Sequence, residues 1–231
     1  MESITSHIGV VVVAGGSGSR MGNNLPKQFM LLDGLPILAH TINNFAEALP
    51  DAEIVVVLPA DYIGFWQDYA RRFDVAAHRT AAGGAERFHS VANGIAALSD
   101  VCTLIGVQDG VRPLATHDCI RRIARTAERE GSAVPVVRPV DSFRIVAEDG
   151  TSHPVDRATL RSVQTPQFFR AEALRSAYAQ AFDPAFTDDA TVFEAAGGSL
   201  RLVEGEPTNL KITTRDDLAV AESILKQRNE T

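Results

Sequence analysis

Ile8-Gly9-Val10-Val11-Val12-Val13-Ala14-Gly15-Gly16-Ser17-Gly18-Ser19-Arg20-Met21-Gly22 is the stretch from which the fold is read. Its first part, Ile8–Ala14, is a short valine-rich apolar run and reads as a buried strand that ends in glycines. A helix should follow such a strand, and Pro36–Ala48 supplies one, with Ile37, Leu38, Thr41, Ile42 and Phe45 at helical spacing. Ile54–Leu58 reads as the next strand. A helix across Phe88–Leu98 then precedes the strand Thr103–Gln108, and a helix across Cys119–Glu130 precedes the strand Ser132–Val137. This alternation predicts a three-layer α/β fold around a mostly parallel sheet. Ligands in such sheets bind beyond the carboxyl ends of the strands, where Ala14 and Asp109 both fall.

One stretch breaks the rhythm. Residues Val137–Arg157 alternate polar and apolar side chains around Asp149-Gly150, a hairpin signal that makes 138–158 an inserted arm. A lone two-stranded hairpin is marginal in water, so this inserted arm is expected to pack against something, with a dimer partner the natural candidate. No repeat or interdomain linker interrupts the chain, so one domain carrying an arm is expected.

Composition narrows the function classes. The chain has 231 residues, 45% hydrophobic and 22% charged, as in ordinary globular proteins. No apolar run approaches the roughly 20 residues of a membrane span, and the start lacks the basic residues and cleavage site of a signal peptide. Cys102 and Cys119 form no CxxC pair and suit reduced thiols in a cytoplasmic protein. The net charge of −7 argues against nucleic-acid binding. Basic residues inside glycine-rich loops are the more informative for that, because an anionic ligand could use them there.

The loop after the first strand carries the chemistry. Glycines at 15, 16 and 18 let the backbone bring N–H groups against phosphate oxygens. Arg20 can clamp phosphate bidentately, and Lys27, after Pro26, supplies a compact charge. The loop is not a P-loop, a dinucleotide fingerprint or a nucleophile elbow. No Lys follows the glycines in register, Met21 stands where a third glycine belongs, and Ser19 occupies the elbow's last glycine. Gly83-Gly84-Ala85-Glu86-Arg87-Phe88-His89-Ser90 is a second glycine turn opening a helix, with free N–H groups and the Ser90 hydroxyl. Arg87 there suits ligand contact and structural pairing equally. Asp109, at a strand end beside a phosphate loop, suits Mg²⁺ or another divalent cation, which takes one or two carboxylates plus phosphate oxygens. Six histidines show no ligand spacing, and Trp66 and Tyr69 read as packing residues.

GGSGSRMG followed by LPKQF resembles the signature of the sugar-type nucleotidyltransferases, particularly the 2-C-methyl-D-erythritol 4-phosphate cytidylyltransferase family. The resemblance implies a Rossmann-like nucleotidyltransferase fold in which Ala14, Gly15, Gly16, Ser17 and Gly18 cradle the triphosphate of CTP. Arg20 and Lys27 would stabilise the pentavalent phosphate. Gly83–Val91 is similar to the family's GGxxRxxSV motif, so Gly84, Ala85 and Ser90 would read the cytosine. Gln108-Asp109-Gly110-Val111-Arg112-Pro113 resembles HDAARP, departing at 108, 110 and 111 but keeping Asp109 as metal and nucleotide ligand and Arg112 near the polyol phosphate. On the arm, Asp141-Ser142 is similar to the family's Asp-Thr, and Val155-Asp156-Arg157 to its VDR, whose Arg reaches the neighbouring subunit's site. Gln164-Thr165-Pro166-Gln167, Thr187-Asp188-Asp189 and Asn209-Leu210-Lys211-Ile212-Thr213 resemble its TPQ, TDD/E and NIKxT segments. Thr165, Thr187 and Lys211 would then line the polyol-phosphate site, with Lys211 also catalytic. Implied partners are CTP and a polyol phosphate, with no nucleic acid or membrane, in a homodimer joined through the arm.

A ribitol 5-phosphate cytidylyltransferase shares the loop and PKQF segments, and VDR at 155–157 favours the methylerythritol enzyme. A non-catalytic nucleotide-binding protein on the same fold is a third reading, disfavoured by the joint presence of Arg20, Lys27, Asp109 and Lys211.

Overall fold

The computed structural model describes residues 4–15 and 25–229. The first strand, β1 (Ile8–Val13), is followed by a small hairpin of β2 (Leu31–Leu32) and β3 (Leu35–Pro36) and by helix α1 (Ile37–Ala48). Then come β4 (Glu53–Leu58), α2 (Ile63–Arg72), β5 (Arg79–Ala82), α3 (Arg87–Ala97), β6 (Leu104–Asp109), α4 (His117–Glu130) and β7 (Ser132–Val137). The arm contributes β8 (Phe143–Val146) and β9 (Ser152–Val155). The chain closes with β10 (Ser162–Val163), β11 (Gln167–Arg170), α5 (Ala171–Ala177), α6 (Asp189–Ala195), β12 (Leu202–Glu204) and α7 (Arg215–Asn229).

The main sheet has the order β10-β7-β11-β6-β1-β4-β5, with β12 also on β7. β1 runs parallel to both β4 and β6, as the apolar runs anticipate, and β4 also runs parallel to β5, which no apolar run announces. β11 is antiparallel to both β6 and β7. Gly106 makes that pairing possible: a Cβ there would lie 2.5 Å from the Phe168 ring.

Alternation of side chains along buried strands supplies two cores. Val10 and Val12 pack with Leu38, Ile42, Trp66, Ile120 and Ile123, so α1, α2 and α4 cover one face. Val11 packs with Val91, Ile95, Phe169, Leu174 and Phe193, so α3, α5 and α6 cover the other. Each such fully buried side chain contributes roughly 1.5–3 kcal/mol of transfer free energy. α4 shows how local sequence sets its ends. Thr116 accepts the Cys119 N–H at 3.1 Å, and Gly131 closes the helix in the left-handed region at φ 93°. Trp66 is fully buried and donates to His78 Nε2 at 2.9 Å, and so packs as expected.

The chain leaves β1 through α1 on one face toward β4, and later returns over the other face through α3 to β6. The switch point thus lies between β1 and β6, where Val13 and Asp109 are register partners and Gly110 N–H bonds the Val13 carbonyl at 2.8 Å. The arm stands as its own two-stranded sheet with exposed faces. Its turn is Glu148-Asp149-Gly150, with Gly150 at φ 82° and Asp149 Oδ1 accepting the Thr151 N–H at 2.9 Å. Among the described residues no helix is long and apolar enough to cross a membrane.

Candidate active site

A cavity of about 320 Å³ opens at the switch point. The end of β1 supplies Ala14 and Gly15, and the turn Lys27–Phe29 supplies Lys27 and Gln28. The entry to α3 supplies Gly84, Ala85, Arg87 and Ser90, while Asp109 and Val111 come from the end of β6 and Lys211 and Thr213 from the approach to α7. A second cavity, about 340 Å³, lies at the opposite end of the sheet beside Ile8 and Ala52 and gathers none of these residues.

Asp109 is the electrostatic centre. Lys211 Nζ lies 2.9 Å and Arg112 Nε 3.5 Å from its Oδ2, and Arg87 Nη2 lies 3.6 Å from its Oδ1. Burial would raise the Asp109 pKa, but the charges of Arg87, Lys211 and Arg112 outweigh it and hold the carboxyl below its ordinary value. Arg112 shows the balance from the other side. Burial lowers its pKa, and the Asp109 carboxylate offsets only part of that. The Asp109 N–H donates to Thr165 Oγ1 at 3.0 Å, which fixes the strand end from β11's side.

Supporting bonds position the rest. Gln28 Nε2 donates to the Ala14 carbonyl at 2.8 Å, tying the Lys27 turn to the end of β1. Ser90 Oγ accepts the Gly84 N–H and donates to the Glu86 carbonyl, both at 3.1 Å. Gly84 has to be glycine, since a Cβ there would meet His89 Cβ at 2.4 Å. Asn209 donates to the Thr165 carbonyl at 2.9 Å, and its own carbonyl accepts Arg112 Nη1 at 2.9 Å.

Lys211 is carried to Asp109 by the start of α7. Thr214 Oγ1 accepts the Asp217 N–H, and Asp217 Oδ2 accepts from the Thr214 N–H and from both the N–H and hydroxyl of Thr213. Slight burial works against the Asp217 charge, but these hydrogen bonds prevail and lower its pKa. A depressed folded value means that the stabilisation is present above the unfolded value of about 3.9 and is lost as pH falls through the folded value. Asp217→Ala is therefore expected to cost about 1 kcal/mol at pH 7. Urea denaturation should show its gap from wild type closing below the carboxylate range.

Of the expected site residues, Ala14, Gly15, Lys27, Gly84, Ala85, Ser90, Asp109 and Lys211 share the cavity. Arg112 and Thr165 each sit one contact behind it, through Asp109. Gly16, Ser17, Gly18 and Arg20 lie outside the described residues. Three are not brought to the cavity within this chain. Thr187 is exposed beside the cap of α6, where its N–H bonds Thr191 Oγ1 at 3.1 Å. Ser142 is exposed on the arm, as is Arg157, whose Nη1 donates to the Val140 carbonyl at 2.6 Å. Arg87 makes the structural pairing, to buried Asp189 through bonds of 3.0 and 2.7 Å, and also lines the cavity. Gln28 and Asp189 lie inside the LPKQF and TDD segments, but sequence reading gives neither a role in the site. Among the described residues no three His, Cys, Asp or Glu side chains cluster as metal ligands.

The strand end at Gly15, a lysine-bearing turn and a cation-ringed carboxylate share one cavity at the switch point of an α/β sheet, where such folds bind their ligands. Residues 8–227 match the family model described as IspD, 2-C-methyl-D-erythritol 4-phosphate cytidylyltransferase, and the chain belongs to that family. It is similar to the 2-C-methyl-D-erythritol 4-phosphate cytidylyltransferase of Bacteroides thetaiotaomicron, at 44% identity over 94% of this chain and 98% of the relative. The enzyme of the same name from Porphyromonas gingivalis is 45% identical over 93% and 96%. Among solved structures, the Thermus thermophilus enzyme superposes with a TM-score of 0.75 at 31% identity, covering 95% of this chain and 99% of that one. The 4-diphosphocytidyl-2C-methyl-D-erythritol synthase of Anaerococcus prevotii gives 0.81 at 25% identity, over 96% and 99%.

Proposed function

We propose that this chain transfers the cytidylyl group of CTP to 2-C-methyl-D-erythritol 4-phosphate in the cytoplasm, giving 4-diphosphocytidyl-2-C-methyl-D-erythritol and pyrophosphate in the non-mevalonate isoprenoid pathway. The observation that carries it is the meeting of Lys27, Asp109 and Lys211 in one cavity beside the Gly84–Ser90 turn. An oxygen of the acceptor phosphate attacks the α-phosphorus of CTP, and the bond to the β-phosphate oxygen breaks, its electron pair leaving with pyrophosphate. The nucleophile is already ionised, so no general base is needed. Catalysis comes from positioning and from the positive charges of Lys27 and Arg20, which stabilise the charge that develops on phosphorus. Gly84, Ala85 and Ser90 hold the cytosine side.

Asp109 fits a magnesium ion, since Mg²⁺ takes one or two carboxylates and fills its shell with substrate phosphates and water. Bound with the nucleotide, it would neutralise phosphate charge. Lys211 and Arg112, gathered at Asp109, suit the acceptor phosphate, with Thr165 behind them. The arm's exposed Phe143, Ile145 and Val146 support a homodimer in which Arg157, Ser142 and the arm reach the partner's site. Ribitol 5-phosphate is the competing acceptor. With CTP and Mg²⁺, kcat/KM for methylerythritol phosphate is expected to exceed that for ribitol 5-phosphate by at least about 10²-fold. The reverse ranking would assign the chain to the ribitol reaction.

A further inference from the structure

Arg87, at the start of α3, meets two carboxylates in different ways. Its Nη1 and Nη2 donate to Asp189 Oδ1 at 3.0 Å and Oδ2 at 2.7 Å, whereas Asp109 comes only within 3.6 Å of Nη2. Asp189 is fully buried, and the Tyr178 hydroxyl donates to its Oδ1 at 2.6 Å. A guanidinium carries five N–H donors in a rigid plane. Asp189 takes one from each terminal nitrogen along one edge, which leaves the rest of the fork for other partners. The Arg87 side chain is 30% exposed and lines the cavity, while Asp189 does not. The pair is not needed to hold the start of α6. Asp188 already caps that helix through the Thr191 N–H at 2.9 Å and accepts Gln167 Nε2 at 2.9 Å.

We propose that Asp189 is a positioning residue which, through its two-point bond to Arg87, fixes a further cation on the wall beside Gly84–Ser90 for the triphosphate of the bound nucleotide. The inference rests on the reading of this cavity as the CTP site. It joins two segments 102 residues apart, so that the helix bearing the nucleotide turn is braced by the α5–α6 side of the fold.

The test is a double-mutant cycle read on nucleotide affinity. CTP binding by calorimetry and steady-state KM and kcat would be measured for wild type, Asp189→Asn, Arg87→Gln and the double variant. Each single change is expected to raise the Kd and KM for CTP on the order of 10- to 100-fold, as for a charge-assisted hydrogen bond, with a smaller fall in kcat. The double variant should be no worse than Arg87→Gln alone, because both act through one guanidinium. Should Asp189→Asn not fold, Arg87→Gln, whose side chain is partly exposed, decides the matter by the same readouts. Variants that lower Tm but keep wild-type Kd and KM for CTP would overturn the proposal and leave a structural clamp. Wild-type protein that binds no CTP would instead overturn the reading of the cavity.

Discussion

Lys27→Ala is expected to lower kcat by about 10²–10³-fold while leaving the unfolding transition close to that of wild type. Lys27 lies on a short turn, lines the cavity and is part of neither core. The turn keeps its shape without it, because Gln28 bonds the Ala14 carbonyl and Phe29 is fully buried against Trp66. On the proposed mechanism, what is lost is a cation that stabilises charge growing only as the α-phosphorus becomes pentavalent. An interaction confined to the transition state shows in kcat rather than in KM. Near wild-type turnover would remove Lys27 from the mechanism.

Asp109→Asn should do more, and in two ways. The carboxylate sits among Lys211, Arg112 and Arg87, of which Arg87 alone has a second carboxylate, Asp189, within bonding distance among the described residues. Neutralising it leaves like charges close together at a poorly solvated strand end, at an expected cost of about 3 kcal/mol. Activity should fall by at least about 10²-fold as well, since the carboxylate proposed to hold the divalent cation has gone. The two effects separate in the Asp109→Asn, Lys211→Met double variant. Removing a cation with the anion should restore part of the urea midpoint and none of the activity. Recovery of both would mean that Asp109 serves the fold alone.

These features differ in how plainly the sequence shows them. β1, β4 and β6 are covered on both faces, so their apolar runs are nearly continuous and their ends fall within a residue or two of expectation. Asp109 is legible because it closes such a run. The arm is legible because Asp149-Gly150 marks its turn. β11 and β12 are only 4 and 3 residues long, and their pairing is set by partners far away in the chain, as when Phe168 lies over Gly106. The pairing of Asp189 with Arg87 is invisible for the same reason. Asp189 looks like a second helix-start carboxylate beside Asp188, and only the folded chain brings it to Arg87 and Tyr178. Arg157 and Ser142 match motifs, yet their arm leaves them away from this chain's own cavity.

The joining of a cytidylyl group to a polyol phosphate in this cavity can be followed by phosphorus NMR of the purified protein with CTP, 2-C-methyl-D-erythritol 4-phosphate and Mg²⁺. One pyrophosphate and one diphosphate diester are expected for each CTP consumed, with no turnover of CTP when the acceptor is omitted. CTP hydrolysis without the acceptor, or equal transfer from ATP, would contradict the assignment.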